Sequence, residues 1–265
     1  MRPESWTTFH CENPDFVVKS VPDDISFKVN RASMRNSEVF RTLSNPRHLP
    51  IPELAFSGDM FSVGEADSEN QEQVVDLHET TSVLLALLRL LHYPLAPPIL
   101  QPDDEKLERA ILNHKLPKRI YDPATVIPLP ILISLLYPLV DKYALSDAIT
   151  KILNAHLLAH APVFPMPIYG FATAHKLEYV ACQASQYLMP LSSYKEEEII
   201  VIPTVSAYHK LVQLQALRVK ALRELVLKED IFPHGYGACT SHQRETTALW
   251  DAKRIALAPL IETSA

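Results

Sequence analysis

The spacing of apolar positions changes period several times along the chain, and each change marks an element. In DFVVKS (15–20) and ISFKVN (25–30), apolar and polar residues mix in short strand-like runs. VPDD lies between them and supplies proline and aspartate for a turn. Such runs bounded by turn formers predict two strands joined as a hairpin. After Asn30 the spacing shifts. Met34, Val39 and Phe40 recur at helical intervals, so residues 31–43 read as short helix. VVDL (74–77) predicts a third strand, and ETTSVLLALLRLLHYP a strongly apolar helix. Thr80 or Thr81 suits its N-cap, and Pro94 ends it.

Residues 44–73 between these elements are polar, proline-bearing and aperiodic, with an acidic later part, GEADSENQEQ. The second half is helical in pattern. PDDEKLERAILNHK (102–115) places acids at its start and bases at its end, which suits the helix dipole. A proline-spaced connector leads to ILISLLYPLVDKY and then to LSDAITKILNAHLLAHA (145–161), with Ser146 as a cap. MPIYGFATAHKLEYVACQASQYL predicts two helices bent near His175 to Leu177. Residues 204–230 predict the longest helix, with an apolar stripe of Val205, Tyr208, Leu211, Val212, Leu222, Leu225 and Val226. Arg218 interrupts that seam, which argues for a packed helix and against a coiled coil. The expected fold is therefore α+β: a small β-sheet capped by helices, then an all-helical C-terminal region. The expected division is a tail (1–13), a first domain (14–160) with an irregular stretch at 42–73, a helical region (161–230), and a tail with a short helix (231–265).

Composition narrows the function classes. A chain of 265 residues with 47% hydrophobic content can bury a sizeable core. A net charge of −6 and a pI near 6.0 leave no electrostatic footprint for nucleic acid. Five glycines against 22 prolines leave few phosphate-cradling loops, and neither glycine-rich nucleotide motif occurs. Cys11, Cys182 and Cys239 are odd in number and far apart, which points away from a disulfide framework and toward the reducing cytoplasm or nucleus. The N-terminal stretch MRPESWTTFHCENPD has no apolar core of signal-peptide type. VLLALLRLL (83–91) contains Arg89, and VIPLPILISLLYPLV (126–140) contains three prolines. Both are short for a membrane span and read as buried helices.

Candidate chemistry is sparse. His156 and His160 share a helix face, but the Glu that a zinc hydrolase needs beside the first His is Leu157 here. Cys239 and His242 have ligand spacing, with His234 the one nearby addition, and a structural zinc takes four ligands. Cys182 reads as a small core residue, and KEEE (195–198) as a solvated run. The long helix is basic on one face but lacks interleaved aromatic residues. No catalytic residue, metal or cofactor is therefore assigned. The alternative reading is a metal- or nucleic-acid-binding regulatory protein using Cys239, His242 and the basic helix.

The order strand, strand, two small helices, strand, long helix and helical tail resembles the BTB/POZ domain. The opening, an Asp-led strand and then ISFKVNRASMRNSEVF, is similar to that family's pattern at Phe27, Asn30, Arg31, Met34, Ser37 or Glu38, and Phe40. The family's usual His at the exit of the second strand is Asn30 here, which can still bond backbone at such a corner. LVDKYALSDAI (139–149) resembles a late segment of these domains, and the wider layout resembles the BTB proteins expanded in mushroom-forming fungi. The resemblance covers about residues 14 to 160. It implies a non-enzymatic protein–protein interaction module, an adaptor or scaffold that self-associates and in some members presents a partner to a cullin. It also implies an interface at Asp15, Phe16, Val18, Arg31 and Met34, with Asp15 and Arg31 as a charged pair in a groove.

One stretch interrupts the resemblance. Deleting residues 42–58 joins SEVFR to DMFSVG and restores the uninterrupted family pattern. Arg41 encoded CGT offers a GT donor, and Ser57–Gly58 encoded TCAGGN offers an AG acceptor. Splicing would regenerate Arg before Asp59 in frame. The stretch thus reads as either a surface loop, which chains tolerate cheaply, or a retained intron.

Overall fold

The protein is described from a computed structural model, which covers residues 6–43, 74–101, 121–228 and 240–263. Residues 44–58 of the interrupting stretch and the helix expected at 102–115 lie outside these. The chain divides into two compact units, Met1–His160 and Ala161–Ala265. It is α+β, a small three-stranded sheet with helices and a helical C-terminal region.

In the first unit β1 (Phe16–Ser20) and β2 (Ile25–Val29) form the expected antiparallel hairpin, from Phe16 opposite Val29 to Ser20 opposite Ile25. Asp24 closes the turn in the left-handed region, at φ 54°. Two short helices follow, α1 (Arg31–Met34) and α2 (Glu38–Leu43), so Thr42 and Leu43 complete α2. Then β3 (Val74–Leu77) lies parallel to β1, giving the strand order β2-β1-β3. β1 is therefore the central strand. Its neighbours Val17 and Val18 point to opposite faces and are both buried, so the sheet is covered on both sides there.

The long apolar helix, α3 (Thr81–His92), buries Leu84, Ala86, Leu87, Leu88, Leu90 and Leu91. Thr80 occupies the N-cap position but makes no side-chain cap bond. The Asp23 carboxylate, from the hairpin turn, accepts the Thr81 N–H instead. That bond ties the turn to the helix and lowers the Asp23 carboxyl below the usual carboxylate range. The N-terminal segment, expected as a tail, packs along α3 from Trp6 onward. Trp6 is 5% exposed, and Phe9 sets its ring edge-on to His92. Arg89 donates to the Thr8 carbonyl at 2.9 Å.

Pro138 shapes the next rod. α4 (Leu129–Ile131) passes through a π-wound turn, Leu132–Leu136, into α5 (Tyr137–Tyr143). Proline cannot donate to the Ser134 carbonyl, and its ring crowds that group. The chain widens just upstream, where the Tyr137 N–H reaches back to the Leu132 carbonyl. α5 ends at Ala144 in the left-handed region, φ 45°. Phe40 of α2 stacks on Tyr143 at 5.5 Å, and the buried Ser37 hydroxyl donates to the Tyr143 carbonyl at 2.6 Å. α6 (Asp147–Ala159) completes the unit.

The second unit opens with α7 (Pro165–Ala174) and α8 (Glu178–Ser185), which bend at the expected place, with Lys176 at φ 57°. A short α9 (Glu196–Ile199) precedes α10 (Val205–Lys228) and α11 (Thr240–Thr263). Of the expected apolar stripe of α10, Leu211 is buried and Val226 half-buried, and the other five positions are exposed. Ala207 and Leu211 are buried, while Val205 is 85% exposed and Leu222 and Leu225 are exposed. Arg218 joins the packed face instead of breaking it. Its guanidinium donates to the Ser185 carbonyl at 2.7 Å, at the C-terminus of α8, where a cation complements the helix dipole. The tail expected to hold a short helix contains one of 24 residues, matching α10.

Candidate functional site

The corner where β2 turns into α1 collects several of the residues singled out by sequence. Asn30 leaves the strand in extended geometry and caps α1, its side-chain oxygen accepting the Ala32 N–H at 2.9 Å. Its amide NH2 donates to the Asn13 carbonyl at 3.2 Å. Asparagine thus serves the backbone at this corner, as expected. The Asn30 N–H donates to His92 Nε2 at 3.0 Å, and His92 Nδ1–H donates to the Leu88 carbonyl at 2.9 Å. Both imidazole nitrogens are occupied, so the ring is held neutral in one tautomer. Burial is the main cause that pushes its pKa down, and the Leu88 carbonyl works the other way.

Asp15 and Arg31 do come together. The Asp15 carboxylate accepts the Arg31 backbone N–H at 2.7 Å, and Asp15 is exposed. The Arg31 guanidinium lies 5.0 Å from the centre of the Phe16 ring, within cation–π range. Phe16 and Arg31 are half-buried. Asp15, Phe16 and Arg31 therefore form a surface cluster, with Asp15 acting as a second cap of α1.

Two of the expected interface residues do not belong to that surface. Val18 is 0% exposed and Met34 is 1% exposed. Both fill the core behind the corner, because both faces of β1 are covered there and Met34 is the inward-facing residue of α1. β1, which carries the expected interface residues Phe16 and Val18, is the central strand and leaves no open edge for a partner strand. The borders of the sheet are β2 and β3.

A cavity of about 400 Å³ opens beside the corner, lined by His10, Cys11, Glu12, Asn30, Ser33, His92 and Tyr93. Burial pushes the Cys11 thiol up, and the carboxylates of Asp15 and Glu12 push the same way against the Asn30 backbone. A thiol held protonated is a poor nucleophile and metal ligand.

The other candidates resolve into structural parts. His156 and His160 share a face, and both address one residue. The Ile127 N–H donates to His156 Nδ1 at 3.3 Å, and His160 Nε2 bonds the Ile127 carbonyl at 2.8 Å. His156 Nε2 bonds the Ala96 carbonyl at 3.0 Å. The pair clamps two proline-rich connector segments to α6. Sequence spacing placed the rings together but gave no sign of the backbone between them. Among the described residues no group of three His, Cys, Asp or Glu is placed to hold a metal ion. Cys182, expected in the core, is exposed, because Val180 and Ala184 form the buried face of α8 and residue 182 falls opposite. In KEEE the Glu198 carboxylate accepts the Lys195 N–H at 2.9 Å, so the run caps α9. His234 and Cys239 lie outside the described residues. No helix among the described residues is long and apolar enough to cross a membrane. No protein-family model, curated protein or solved structure matches the chain.

Proposed function

We propose that the chain is a protein–protein interaction module of BTB/POZ type, an adaptor or scaffold without catalytic activity, which self-associates through the corner at Asp15, Phe16 and Arg31. The observation that carries this reading is the sheet and its connections. A hairpin, two short helices, a third strand beside the first, and a long apolar helix follow one another in the order that the resemblance implies. The corner suits recognition because it holds an aromatic face, a guanidinium and a carboxylate on rigid elements. Surface charges of this kind contribute little to stability but can fix partner choice. Val18 and Met34 serve the interface from behind, by holding Phe16 and α1 in place. Other protein partners, a cullin-type scaffold among them, would bind elsewhere on the unit. Sedimentation analysis of Arg31→Glu and of Lys151→Glu, an exposed position on α6, tests the interface. Arg31→Glu is expected to weaken self-association about tenfold or more, and Lys151→Glu to leave it unchanged. Equal behaviour of the two variants refutes the assignment.

A further inference from the structure

The segment after α3, YPLAPPI (93–99), runs over the first unit without helix or strand structure. Its backbone is nonetheless constrained. Pro94, Pro97 and Pro98 have φ fixed near about −65°. Tyr93, Ala96 and Pro97 each precede a proline, which drives them extended, and Tyr93 sits at φ −111°, ψ 119°. Of residues 93–98, Leu95 alone escapes both rules. This is the chemistry of a polyproline II helix, in which residues three apart share a ridge.

Burial follows that period. Leu95 is buried and Pro98 half-buried, forming one ridge against the unit. Pro94 and Pro97 are exposed and form a second ridge. Ala96 and Ile99 are exposed and form the third, with Ile99 at 60%. The strap is pinned in place. His156 bonds the Ala96 carbonyl, the Ile99 N–H donates to Thr125 Oγ1 at 3.0 Å, and the Asp122 N–H donates to the Ile99 carbonyl at 2.9 Å.

We infer that the strap at residues 94–99 is a docking site for a partner domain with an aromatic-lined polyproline groove, of the SH3 or WW kind. Such grooves take Pro-x-x-Pro segments, here Pro94-Leu95-Ala96-Pro97. They grip two ridges and leave the third facing away, and the third ridge here is the one lying on the protein. The ordering cost of binding has largely been met, since the strap is fixed in the free chain. This site is independent of the Asp15–Arg31 corner.

The test uses the full chain, fluorescently labelled, against an array of purified SH3 and WW domains. At least one domain should bind saturably. Pro94→Ala with Pro97→Ala, and separately Ile99→Asp, should each weaken that binding about tenfold or more. Pro203→Ala, at an exposed proline of the second unit, should leave it unchanged. All the substituted positions are exposed, and unchanged circular dichroism melts confirm that the variants fold. Absence of any saturable binder overturns the inference, as does equal binding by all variants.

Discussion

His156→Ala is the most informative single perturbation of the first unit, because one imidazole satisfies two backbone groups from separate connectors. Its removal leaves the Ile127 N–H without its acceptor in a buried setting. An orphaned buried donor costs about 1–3 kcal/mol. The Ala96 carbonyl also loses its partner, but Ala96 is exposed and water can replace the bond, so that loss sits at the low end. The space left by a fully buried ring adds to the sum. The expected destabilisation is about 2–4 kcal/mol. Urea unfolding reads the total, and hydrogen exchange at the Ile127 amide reads the local effect. The pH dependence gives a second readout. Burial, chiefly, and the neighbouring His160 hold the His156 pKa below its usual value, with the Ala96 carbonyl opposing. The unfolded chain therefore binds a proton near about pH 6.5 while the folded chain does not. The stabilisation is complete above that pH and is lost as pH falls through it toward the lower folded value. His92 acts with the same sign. Each such histidine contributes at most about 1.4 kcal/mol per pH unit. Stability should fall between pH 7 and pH 5, roughly the range in which an unfolded His titrates, and the variant should show a shallower fall. A loss under about 1 kcal/mol together with an unchanged pH slope would refute the clamp.

Other expectations concern single positions. A Cβ at Gly170 would lie 2.5 Å from the Val201 carbonyl oxygen, so Gly170→Ala should lower stability by about 1–3 kcal/mol despite its better helix propensity; an unchanged or raised unfolding midpoint contradicts this. Ala144 sits in left-handed geometry at the end of α5, where Gly is favoured, so Ala144→Gly should raise stability by about 0.5–1 kcal/mol, and calorimetry showing a loss would refute it. For residues 42–58, the intron reading expects transcripts lacking 17 codons; sequencing in which every read retains them shows the stretch to be a genuine loop.

The hairpin, α1, α3 and the bend at Lys176 were legible because local chemistry decides them: alternation, caps, and an apolar run ended by Pro94. The central place of β1 was not legible. It depends on β3 arriving parallel after two helices and a long connection, and nothing in the residues 15–20 records which side is paired. Val18 and Met34, expected at the interface, therefore lie in the core. On α10, apolar spacing picks out the buried Leu211, but the packed face continues through Ala207 and Arg218, whose guanidinium serves the Ser185 carbonyl at the end of a preceding helix. Mixed composition and Pro259 hid the length of α11. The histidine clamp was half visible: spacing set His156 and His160 on one face, and only the fold brought Ile127 and Ala96 to them.

Self-association is the central claim, and light scattering on the purified full chain at micromolar concentration tests it most directly. The account predicts a mass about twice the chain's 29.9 kDa. A single species at the chain mass across that concentration range would contradict it.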